Sequence, residues 1–131
     1  MSIQFVDAML TYINGNRPDG CPPCVMDALP DKGPGMSLQM VMVPRWAKRY
    51  IDGTGTKQAT FTLRVQVVPE RQAQAYDWLA ALGGLIAGME NVHIGNGFMV
   101  ESATATTPSI ISRLQDGTPR YGISCAVIFT D

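Results

Sequence analysis

Charge is scarce in this chain. Asp, Glu, Lys and Arg make up 16% of its 131 residues, against roughly 25% in a typical soluble domain. Ten basic residues stand against eleven acidic ones, for a formal net charge of −1. A basic field of the kind that drives phosphate-backbone binding is therefore missing, and direct nucleic-acid recognition is not expected. Histidine occurs once, at His93 between Val92 and Ile94. No Ser-His-Asp or Cys-His signature and no clustered carboxylate pair surrounds it, so the chain is expected not to be an enzyme, with no catalytic residue and no cofactor. No apolar run approaches the roughly twenty residues a membrane span needs, and the N-terminus MSIQFVDAMLTYING lacks a basic region, so a soluble protein made in the cytoplasm is expected. Three cysteines are an odd count and a poor basis for a secreted disulfide framework.

What is present reads as one domain over residues 1–131, since a chain of this length can enclose a single core. Ile3, Phe5, Val6, Met9, Leu10 and Ile13 recur near the helical period, and Asn14-Gly15-Asn16 supplies a stop, which predicts a short helix over 2–14. Residues 17–35, RPDGCPPCVMDALPDKGPG, hold five prolines and three glycines and predict an extended arm. SLQMVMV over 37–43 predicts a strand limited by Pro44. A hairpin follows, turning at Asp52-Gly53-Thr54-Gly55. In its second arm Phe61, Leu63, Val65 and Val67 alternate with Thr60, Thr62, Arg64 and Gln66, giving one core face and one wetter face.

Pro69 sits where a first helical turn tolerates a missing N–H, and Ala75, Leu79, Leu82, Ile86 and Met89 step by three and four, predicting a helix over 70–88. From Trp78 to Met89 that helix is apolar or glycine on every side. It lies under the N-terminal arm, or else it offers a subunit contact that Gly83, Gly84 and Gly88 let approach closely. Strands are expected over 97–106 and along Tyr121, Ile123, Cys125, Val127 and Phe129, with a loop over 107–119 between them. The sum is an α+β domain: a mostly antiparallel four- to five-stranded sheet with one main helix packed on it and a short N-terminal helix.

Cys21-Pro22-Pro23-Cys24 is the most conspicuous local motif. Such a pair can supply two of four zinc ligands or a redox disulfide. A zinc site needs two more ligands, for which only His93 and Cys125 are at hand, and the surrounding prolines deny the first thiol a helix N-terminus. Cys21 and Cys24 are thus weak metal candidates, and two locally packed thiols are the favoured reading. Cys125 is in phase with buried apolar positions and is expected to act as a small core residue. Gly53-Thr54-Gly55 and Gly95-Asn96-Gly97 fall short of phosphate-cradling motifs and read as turns. Arg45, Trp46, Lys48, Arg49 and Tyr50 form a basic and aromatic cluster of the residue types that anchor protein interfaces. The interface candidates are Arg45, Trp46, Arg49, Tyr50, Trp78, Leu85 and Arg113.

Three segments, MSIQFVDAMLTYI, WAKRYIDGTGTKQATFTLRVQV and TPRYGISCAVIFTD, resemble the small minor capsid or tail-terminator proteins of siphophages and prophages. In that family an N-terminal helix and a variable loop precede a hairpin with an aryl-basic stretch, a D-G turn and a strand. A helix follows, and the chain closes on R-Y-x-I-x-C-x-V-x-aromatic. The correspondence falls on Lys48–Gly53, Phe61–Val67 and Arg120–Phe129, while Gly20–Gly35 has no counterpart. The resemblance implies a structural virion protein that forms a ring, commonly a hexamer, caps the tail tube and ends its polymerisation. Its partners would be further copies of itself, the tail tube protein and the head-tail connector, with the hairpin tip at Asp52–Lys57 and the 107–119 loop projecting axially. It would reside in the virion tail, and in the host cytoplasm during assembly. A head-completion or neck protein of the same virion is the neighbouring alternative, and a small CxxC thiol or zinc protein is the alternative of a different class.

Overall fold

Strict alternation builds the centre of the sheet. The structure, a computed structural model, describes residues 2–18, 20–26, 29, 35–49, 55–67, 69–95, 97–113 and 119–130. In β3 (Gly55–Gln66) Ala59, Phe61, Leu63 and Val65 are buried, while Thr60, Thr62 and Arg64 stay half-buried on the opposite face. In β7 (Pro119–Thr130) Tyr121, Ile123, Cys125, Val127 and Phe129 do the same. The two strands pair antiparallel from Lys57↔Phe129 to Gln66↔Arg120 without a register shift, so their apolar faces coincide.

On one side of this pair lies β2 (Gly35–Arg49), antiparallel to β3. It is longer than the expected strand at 37–43, and Pro44 does not end it. The proline falls within one of three register shifts, between Met42 and Arg45, where the ladder skips the missing N–H. The hairpin forms as expected, though its turn at 50–54 lies outside the described residues. β1 (Cys24–Met26) adds to β2 in parallel, Cys24 opposite Met36 and Met26 opposite Leu38. On the other side of β7 lie β5 (Phe98–Ala105) and β6 (Ser109–Arg113), and β4 (Glu90–Gly95) pairs β5.

Among the described residues the sheet has seven strands, ordered β1-β2-β3-β7-β5-β4 with β6 on β7, and one of its pairings is parallel. The expectation of four or five mostly antiparallel strands is corrected accordingly. The expected strand at 37–43 and the first hairpin arm run together as β2, while β1, β4 and β6 are additional: β1 and β6 are each too short and too close to proline to show a period of two, and β4 buries only Ile94.

Two helices cover one face. α1 (Ser2–Gly15) buries Phe5, Val6, Ala8, Met9 and Ile13, and the Phe5 ring stacks on Phe129 at 4.0 Å between centroids with Phe98 edge-on to both. A 3-10 turn (Pro69–Arg71) leads into α2 (Gln72–Ala87), which buries Ala75, Trp78, Leu79, Leu82, Gly83 and Ile86. A Cβ on Gly83 would stand 3.5 Å from the Ile123 side chain, so α2 lies on the same face of β7 that receives Phe5. The sheet's opposite face is bare of helices among the described residues. There Arg64 Nε donates to Ser37 Oγ at 3.2 Å and Arg120 Nε to Gln66 Oε1 at 2.7 Å. Both acceptors are fully buried, and no buried side-chain nitrogen or oxygen of the described residues lacks a partner.

Candidate functional site

The CPPC segment closes onto the end of α1. The side-chain amide of Asn14 accepts from the Cys24 N–H at 2.8 Å and donates to the Cys24 carbonyl at 3.1 Å. It thereby replaces the next strand on the outer edge of β1. Arg17 Nη1 donates to the Cys21 carbonyl at 2.8 Å, and the Cys21 N–H donates to the Pro18 carbonyl at 3.1 Å. Both thiols are buried and free. Burial pushes the Cys21 thiol up to about 11, tempered by the nearby Arg17 guanidinium. Cys24 is pushed up to about 12 by burial and then by the charge Cys21 would carry. Thiols held protonated in this way are weaker nucleophiles at neutral pH than ordinary cysteines. Cys125 lies in the core, with its thiol raised by burial to about 12, as a small apolar residue would be placed. His93 is exposed on β4. Among the described residues no three of His, Cys, Asp and Glu gather into a group that could hold a metal, and no helix is long and apolar enough to cross a membrane.

The other notable region lies where β5 gives way to β6. Both pair the same edge of β7, β5 through Ala105↔Cys125 and β6 from Ser109↔Gly122 onward, so they are one strand interrupted at Thr106-Thr107-Pro108. Pro108 has no N–H for the ladder. The Thr106 hydroxyl accepts from the Ser124 N–H at 2.9 Å, and the Thr106 N–H donates to the Ser124 carbonyl at 2.9 Å, which carries the pairing across the break. Between this break and α2 runs an open, mainly apolar groove of about 280 Å³, floored by Gly83 and Ala105 and walled by Ala80, Gly84, Ala87 and Pro108.

Large apolar side chains remain outside the core at Val25, Met26, Val41, Tyr76, Ile110 and Ile111, each between 41% and 63% exposed. Tyr76 leans on Tyr121 at 4.8 Å between ring centroids, and Tyr121 Oη donates to Gln72 Oε1 at 2.9 Å. None of these six was singled out from sequence as an interface candidate. Ile110-Ile111 carries the one readable sign, two adjacent β-branched residues close after Pro108.

Of the residues expected at an interface, Trp78 is buried, packed beside Gly20 of the arm, whose Cβ would stand 3.9 Å from its ring. It offers little to a partner. Leu85 is half-buried against the core. Arg45, Trp46 and Arg49 lie on the distal part of β2 and Arg113 ends β6, with side chains outside the description, as is Tyr50 altogether. Among the described residues the arm meets α2 through Gly20, beside Gln74 and Trp78. Ala80, Ala81, Gly84 and Ala87 on the second half of α2 are exposed, so the helix is wet on one side through small residues. Compared with protein-family models and with curated proteins, the sequence matches none.

Proposed function

We propose that this protein is a structural subunit of a long-tailed phage or prophage virion that closes into a ring, commonly of six copies in the family it resembles, and caps the tail tube. Polymerisation of the tube ends there, and the opposite side of the ring meets the head-tail connector. The sequence resemblance over Lys48–Gly53, Phe61–Val67 and Arg120–Phe129 motivates the reading. The observation that carries it is the surface. Among the described residues six large apolar side chains stand exposed on strand edges and on α2, in a chain with only 16% charged residues. A surface of that kind is suited to being covered by neighbouring protein, as ring subunits are.

Negative-stain imaging of the purified protein, alone and mixed with tail tubes, tests the reading. Closed rings seated at one end of the tubes are the expected result. A strictly monomeric protein that binds no tube sinks it.

A further inference from the structure

The strand register ties the two lateral edges of the sheet together row by row. One row runs Arg45–Gln58–Ile128–Ser102–Glu90 from β2 through β3, β7 and β5 to β4. Its first residue is a cation and its last a carboxylate. The strands behind these ends have the same polarity. β2 carries Arg45, Lys48 and Arg49 and no acidic residue, whereas β4 and β5 carry Glu90 and Glu101 and no Lys or Arg. Beyond Leu38 the outer edge of β2 has no strand partner among the described residues, and the outer edge of β4 has none either.

A second row, toward the other end of the same strands, runs Cys24–Met36–Val65–Tyr121–Ile110. Its ends are apolar on both sides: exposed Val25 and Met26 adjoin Cys24, and exposed Ile111 adjoins Ile110. Stepping sideways across the sheet from one copy to the next therefore brings a basic edge to an acidic edge at one level and an apolar edge to an apolar edge at the other. Contact between two different patches of the same chain is heterologous, which is the kind that closes into rings.

We propose that neighbouring copies meet along this seam, with the β2 edge around Arg45–Arg49 and the exposed Val25 and Met26 side chains of one subunit against the β4 edge and the exposed Ile110 and Ile111 side chains of the next. The occupant is a second copy because its charge pattern is supplied by the chain itself, in register, on opposite sides of one sheet. The proposal rests on the reading of the protein as a ring-forming subunit, and it assigns the surfaces that this reading leaves open.

Sedimentation velocity on wild type, Arg45→Glu, Glu90→Arg, an equimolar mixture of the two variants, and the double variant tests it, with circular dichroism confirming that each is folded. Each single reversal sets like charges across every seam, and the concentration needed for half-assembly is expected to rise on the order of tenfold or more. The mixture and the double variant restore opposite charges at every seam and are expected to recover most of the assembly. Added salt weakens the wild type and relieves the single variants. If the wild type forms rings while both single variants match it, the seam is wrong and the ring reading stands. Single variants that lose assembly without recovery in the mixture or the double variant also overturn the seam. A wild type that stays monomeric overturns both.

Discussion

Proline breaks the strand pattern at two places in this sheet, before β1 and between β5 and β6, and the two are finished differently. At the arm, Pro22 and Pro23 keep the chain out of any ladder until Cys24, and the fold closes the gap from inside. The Asn14 amide takes both outward backbone groups of Cys24, Arg17 takes the Cys21 carbonyl, and both thiols turn into the core. At the β5–β6 break, Pro108 opens the strand and the exchange between Thr106 and Ser124 mends it. Beyond the mend, Ile110 and Ile111 stay exposed and the groove beside Gly84 stays open. The backbone groups of Cys24 are thus sealed, although Val25 and Met26 just beyond stay exposed, whereas at the second break the groove beside the strand stays open as well. Sealing serves the stability of the subunit, while an open edge costs solubility unless something covers it.

The sharpest way to break this contrast is to unseal the arm. Asn14→Ala removes both bonds to Cys24, and its carbonyl and N–H lose their partner at a part-buried position. A loss of about 1–3 kcal/mol is expected in urea denaturation, since an unsatisfied buried polar group costs its full desolvation. Asn14→Asp keeps an acceptor for the N–H and loses the donor for the carbonyl, so it should fall between wild type and Asn14→Ala. Equal stability of all three proteins would mean that the arm is not sealed by this residue.

A second effect is alkaline. The folded protein holds the Cys21 and Cys24 protons more tightly than the unfolded chain, with values of about 11 and about 12 against 9.0. Below the unfolded value both states are protonated and the full stability is present. As pH rises past it the unfolded chain ionises first, so stability declines up to the folded values and then levels. The urea midpoint should fall steadily from about pH 9 to about pH 11. Cys125 has a raised value as well and shares the slope, so a Cys125→Ala background isolates the arm. A level midpoint across that window in this background would show that the arm thiols are open to solvent.

These contrasts mark how far the sequence could be read. β3 and β7 were legible because a sheet with one buried face forces a period of two, and Phe61–Val67 and Tyr121–Phe129 each carry it through at least four positions. β1 and β6 span three and five residues beside prolines, and their existence depends on partners far away in sequence, Met36 to Leu38 and Pro119 to Gly122. α2 looked enclosed because Ala and Gly count as apolar, yet such small side chains are at ease in water, and its exposed side is built from them. Trp78, an interface candidate at the start of the apolar stretch, falls on the helix stripe with Leu79, Leu82 and Ile86 and so goes inward. The candidate seam was half legible: the basic cluster on β2 stood out in sequence. Its acidic counterpart did not, because only the strand register sets Glu90 level with Arg45.

The smallest effect probes the region left open. Gly84 faces the groove, and a Cβ built on it meets nothing within 4 Å. In the isolated subunit, Gly84→Ala should stabilise by up to about 1 kcal/mol, because glycine inside a helix is less favourable than alanine by that amount. The measurement should be made at low and at high protein concentration. A gain at low concentration that persists at high concentration leaves the groove uncovered, and subunit contact is then confined to the strand edges. A gain that turns into a loss as the protein assembles means that a neighbouring copy comes within a methyl radius of the α2 backbone. The groove would then belong to the interface along with the β6 edge beside it.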